Sequence, residues 1–172
     1  LYVSTTQYTN SYTGIVTFEI HKVYIVSSLR LVMVYQKLIT ITKAQEVLKT
    51  IPFLNCGGCG ISALAIYRFL RKNNVKQQIK FVYMYSYYDG EEFNNKDIPE
   101  HICLLIGKQY IDGLGNVYGI DDHKLFFVTD EKVLLDSINT KDWNDMFDRN
   151  NIKTIQSKLK VDLSDVEEWT ER

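Results

Sequence analysis

Cysteine, histidine and proline are all scarce in this chain, at three, three and two residues of 172. Cys56, Cys59 and Cys103 are too few, and odd in number, to form the disulfide framework of a small secreted domain, so a reducing, cytoplasmic setting is the expectation. Net charge is nearly absent as well. The formal value is −1, and the 20 Lys and Arg residues are spread along the chain rather than clustered, so no nucleic-acid partner is expected. A long apolar run is also missing. The most apolar candidate, 23–35, is interrupted by Arg30 and followed by Gln36 and Lys37, and no membrane partner is expected either. Internal repeats and low-complexity tracts are not evident.

What the chain does have is a hydrophobic fraction of 45%, which at this length suits one globular domain with a sizeable core. Residues 1–40 are rich in Tyr, Thr, Ser and Val and read as an N-terminal extension of uncertain structure. Their β-branched stretches 15–20 and 22–26 are strand candidates. A catalytic domain is expected over 41–172. Thr42 is placed to cap a short helix through Leu48, which the Ile51-Pro52 step would end.

The sharpest pattern follows. Asn55-Cys56-Gly57-Gly58-Cys59-Gly60 precedes Ile61, Leu64, Ala65, Phe69 and Leu70 at helical spacing, which predicts a helix from Cys59 to Lys72. Arg71 and Lys72 suit its C-terminal dipole, and Asn73-Asn74 suits a left-handed stop. Strands are expected at 79–88, 101–107, 109–112 and 124–128, with a tight connection at Gly107-Lys108. Helices are expected from Asp130 to Ile138 and over 142–148, and the acidic tail 163–172 reads as amphipathic.

A thiol at a helix start is favoured as the thiolate by unpaired N–H groups and the helix dipole. Cys59 occupies such a start, and its backbone N–H is a candidate oxyanion donor. Of the three histidines, His101, at the head of a strand, is the one whose setting fits a base. On the expected hairpin His101 and Asp112 lie near the open end, where Asp112 can orient the imidazole.

The stretch Cys59-Gly60-Ile61-Ser62-Ala63-Leu64-Ala65 resembles the Cys-Gly-x-x-x-Leu-Ala opening of papain-like thiol enzymes, notably C39-like peptidases. The run from His101 through Asp112-Gly113 is similar to their His strand followed by a strand ending in Asp, an order shared with transglutaminase-like domains. The resemblance covers roughly 55–115. It implies an α+β, papain-like fold with the nucleophile helix packed on an antiparallel sheet, and a Cys59-His101-Asp112 triad acting on an amide bond of a peptide or protein substrate without a cofactor or metal. Papain-like enzymes place an oxyanion Gln several residues before the nucleophile. Here Phe53 and Leu54 occupy that stretch, and Asn55 is the nearest amide.

Blander readings stand beside this one. Cys59 alone fits a buried core cysteine, His101 a strand-end histidine, and Asp112 an ordinary Asp-Gly turn, with Asp121 and Asp122 as rivals for its role. Cys56-x-x-Cys59 with His101-x-Cys103 is a possible zinc set. Cys56-Gly57-Gly58-Cys59 also resembles a thioredoxin-like redox motif, with Cys56 as the attacking thiol. An inactive papain-like scaffold that binds peptide is the remaining alternative. The row Tyr83, Tyr85, Tyr87 and Tyr88 reads first as half-buried sheet surface and second as a cleft wall.

Overall fold

The structure is a computed structural model that describes residues 16–54, 57–86, 99–140, 147 and 149–166, with side chains in the first helix described from residue 28 onward. The first element corrects an expectation. Helix α1 runs without a break over Val16–Leu48, where the sequence suggested strands at 15–20 and 22–26 and a helix beginning after Thr42. Residues 15–51 contain neither Gly nor Pro, so nothing interrupts helical hydrogen bonding, and β-branched residues weaken a helix by only tenths of a kcal/mol each. Thr42 accordingly sits inside the helix as an exposed residue.

The chain divides into residues 1–36 and 37–172. Within the second unit the last turns of α1 bury Thr40, Ile41, Ala44 and Leu48, one face of the helix. The turn at 49–54 follows, with Pro52 blocking further helix.

Helix α2, Cys59–Lys72, forms as expected. It is buried on nearly every side over its first eight residues, Cys59 to Ile66, because it packs against the sheet, α3 and α4 together. Its end also matches expectation. Asn74 adopts a left-handed φ of 59°, and the Val75 N–H returns to the Leu70 carbonyl at 3.0 Å.

Strands β1 (Ile79–Ser86), β2 (His101–Ile106), β3 (Gln109–Ile111) and β4 (His123–Val128) form one open sheet in the order β3-β2-β1-β4, with every neighbouring pair antiparallel. A short 3-10 turn, Ile120–Asp122, leads into β4. Gly107, at φ 69°, makes the tight β2–β3 connection that the sequence placed there. Helices α3 (Glu131–Thr140) and α4 (Arg149–Leu159) complete the α+β layer. The amphipathic face of α4, with Ile152, Ile155 and Leu159 buried, was not anticipated. The expected helix at 142–148, apart from Phe147, and most of the acidic tail lie outside the described residues.

Alternation along the strands sorts the core into two clusters. Phe81, Tyr83, Ile102, Leu104 and Ile106 join α1, α2, α3 and α4 in the main core, whereas Val82, Met84 and Cys103 pack on the other side of the sheet. Tyr83 is therefore core and Tyr85 half-buried, while Tyr87 and Tyr88 lie outside the described residues. Among the described residues no helix is long and apolar enough to cross a membrane.

Candidate active site

The register of the β2–β3 hairpin decides whether His101 and Asp112 can meet. Leu104 pairs with Ile111, the last residue of β3, so Asp112 follows one step beyond the ladder toward the end of β2 that carries His101. The side chains do meet, with His101 Nε2 3.1 Å from Asp112 Oδ2. The other carboxylate oxygen closes the turn that follows β3. Asp112 Oδ1 accepts the N–H groups of Leu114 at 2.7 Å and Gly115 at 2.9 Å, and the Asp112 N–H donates to the Gly115 carbonyl at 2.9 Å. Asp112 thus makes the turn the sequence suggested and contacts the histidine as well.

Cys59 is the first residue of α2. Gly58, the residue before it, supplies no side-chain cap, and the first donor inside the helix is the Ser62 N–H, bonded to the Gly58 carbonyl at 2.8 Å. The N–H groups of Cys59, Gly60 and Ile61 precede that bond and lack intrahelical acceptors. Two glycines let neighbours close over this point. A Cβ at Gly58 would lie 2.5 Å from the Phe147 ring and 2.7 Å from the Leu54 carbonyl oxygen, and one at Gly60 would lie 3.1 Å from Ile138.

The thiol, the imidazole and the carboxylate form one electrostatic unit. Burial pulls the His101 pKa down, but hydrogen bonds to Asp112 and Cys59 and the negative charges of both partners outweigh it, and the imidazole is raised to about 9. Burial pushes the Asp112 carboxyl up, while its bonds to His101, Leu114 and Gly115 prevail and hold it below its ordinary range. With Nε2 engaged by Asp112, Nδ1 is the ring nitrogen left for the thiol. Side-chain exposure of His101 and Asp112 is 18% and 11%, and Cys59 is 3% exposed, so the thiol is almost covered.

No protein-family model, curated protein or solved structure matches this chain. What the site can do follows from its own geometry.

The rivals named from the sequence that fall within the described residues have their own surroundings. Cys103 is fully buried with Val82 and Met84, with its Sγ 3.9 Å from the Met84 sulfur. Burial, then the charges of Asp112 and Cys59, push its thiol up to about 12. Among the described residues no three His, Cys, Asp or Glu side chains gather as a metal site, and Cys56 lies outside them. The thioredoxin-like reading needs a parallel β-α-β crossover, whereas all described strands pair antiparallel. Asp121 and Asp122 sit in the turn before β4, and His123 pairs with Glu100 at 3.4 Å. Asn55, the expected oxyanion amide, lies outside the described residues.

Sequence reading missed Gln45. Its Nε2 donates to the Asp112 carbonyl at 3.0 Å and to the Gly115 carbonyl at 3.1 Å, holding the turn that carries the carboxylate. A glutamine one residue after the core alanine Ala44 carries no sequence signal for such a contact.

Proposed function

We propose that this chain is a papain-like thiol hydrolase or acyltransferase acting on an amide or peptide bond through Cys59, His101 and Asp112. The observation that carries this reading is that a histidine held 3.1 Å from a carboxylate lies within electrostatic reach of a cysteine at a helix start that has no side-chain cap. A packed core cysteine accounts for the burial of Cys59 but not for that paired partner.

His101 takes the Cys59 proton, and an imidazolium beside a helix N-terminus is a setting in which a thiolate is favoured. The sulfur attacks the amide carbonyl, an S–C bond forms and the C–N bond breaks. The proton on His101 goes to the leaving amine. Water or an amine then attacks the thioester, gives its proton to His101, and returns the sulfur as thiolate. The N–H groups at the start of α2, which have no intrahelical acceptors, supply oxyanion donors. Asp112 keeps the imidazole oriented and stabilises its charged form.

A second reading, a catalytically silent scaffold, rests on the 3% exposure of Cys59. One experiment separates the two. The protein is incubated with a panel of acyl esters and peptide amides, quenched in acid, and examined by intact mass and peptide mapping. The thiol-enzyme reading expects a thioester adduct on Cys59 that disappears in Cys59→Ala and in His101→Ala. An adduct confined to another cysteine, or none from any ester or amide, supports the silent scaffold.

A further inference from the structure

We infer that Gln45 is a positioning residue for Asp112, coupling the last turns of α1 to the ionisation of His101; the inference rests on the thiol-enzyme reading. A carboxamide nitrogen has two hydrogens, and both are used here, one toward the Asp112 carbonyl at 3.0 Å and one toward the Gly115 carbonyl at 3.1 Å. Those two carbonyls bracket the Leu114 and Gly115 N–H groups that bind Asp112 Oδ1. Gln45 therefore fixes the peptide planes on either side of the carboxylate's own anchor.

Packing alone does not do this. Gly113 is seated against Leu48 and Leu54, where an added Cβ would fall 2.4 Å from Leu54 Cδ2, so apolar contact sets how near the turn lies to α1. Contact of that kind is non-directional, and the turn's own hydrogen bonds, from the Asp112 N–H to the Gly115 carbonyl and from the Leu114 and Gly115 N–H groups to Asp112 Oδ1, order the turn internally without orienting it on α1. The two Gln45 hydrogen bonds are directional and set the orientation of that turn on α1. The bond that Asp112 Oδ2 accepts from His101 Nε2 lies at the far end of the same residue, so a tilt of its backbone displaces Oδ2 relative to the imidazole.

The test is Gln45→Met, which keeps length and removes both donors, with Gln45→Asn, which keeps the amide but shortens its reach, as a milder second variant that retains a donor if the first does not fold. Three readouts are taken: the His101 pKa by NMR, the rate of Cys59 alkylation against pH, and the melting temperature. The expected result is a fall in the His101 pKa and a roughly tenfold slower alkylation at neutral pH per folded molecule in Gln45→Met, with a smaller effect in Gln45→Asn. A lower melting temperature with both site readouts unchanged would leave Gln45 a structural residue only and overturn the inference. If His101→Ala in the otherwise unaltered chain fails to change Cys59 alkylation, the thiol-enzyme reading itself fails, and that result is distinct.

Discussion

Replacing Asp112 with Asn removes one charge and little else. The variant keeps an oxygen to accept the Leu114 and Gly115 N–H groups, and it puts an amide where Oδ2 now lies 3.1 Å from His101. The rise of His101 from 6.5 to about 9 corresponds to about 3 kcal/mol of preference for the imidazolium. Burial opposes that rise, and the Asp112 hydrogen bond is the foremost cause producing it. Without the carboxylate, burial meets only the Cys59 contribution, and the pKa should fall by about 1 to 2 units. The tautomer should change too. An amide hydrogen facing Nε2 requires that nitrogen to accept, which moves the proton of the neutral ring to Nδ1, where it can no longer receive one from the thiol. Long-range nitrogen–proton NMR on the three histidines, assigned with His101→Ala, reads pKa and tautomer together. A wild-type His101 that titrates at or below 6.5, or one that titrates identically in Asp112→Asn, would refute the reasoning.

Stability should depend on pH through the same pair. The raised pKa of His101 stabilises the fold fully below about 6.5, and that contribution is lost as pH rises through about 9, so urea unfolding of His101→Gln should show an alkaline decline smaller by about 3 kcal/mol. Asp112 acts in the opposite sense: its contribution is present above 3.8 and is lost as pH falls through its lowered folded value, so Asp112→Asn should flatten the acid limb of the same titration. Arg68 joins α2 to Glu131 at 2.6 Å, to both oxygens of Asp165 and to the Asp162 carbonyl, and Arg68→Met should cost about 2 kcal/mol by chemical denaturation. Gly58→Ala should cost about 2 kcal/mol or more, because the Leu54 carbonyl at 2.7 Å is backbone and cannot rotate away; a melting curve like that of wild type would contradict this packing.

The clearest parts of the fold in the sequence were those whose local signals agreed with their surroundings. Helix α2 carried apolar spacing, basic residues at its end and an asparagine stop, and the β2–β3 hairpin carried alternation and a glycine turn. Residues 16–48 misled because Val, Ile, Thr and Tyr suggest strands, whereas an uninterrupted run without Gly or Pro can extend as helix. Helix α4 went unseen because Ile152, Ile155 and Leu159 are its sole buried apolar residues, set among Asn, Lys, Gln and Ser. At the site, chain order placed Cys59, His101 and Asp112 in one neighbourhood. The register that brings Asp112 toward the start of β2 is a property of the turn, and the Gln45 contact spans 67 residues, which no local pattern encodes.

The central claim is that Cys59 and His101 act as a pair, and the most direct test is the rate of iodoacetamide alkylation against pH, mapped to each cysteine by mass spectrometry in wild type and His101→Ala. The account predicts that Cys59 reacts faster than Cys103 at neutral pH, and that this difference disappears without His101. A Cys59 that reacts only as an ordinary buried thiol, with the same pH profile in both proteins, would contradict it.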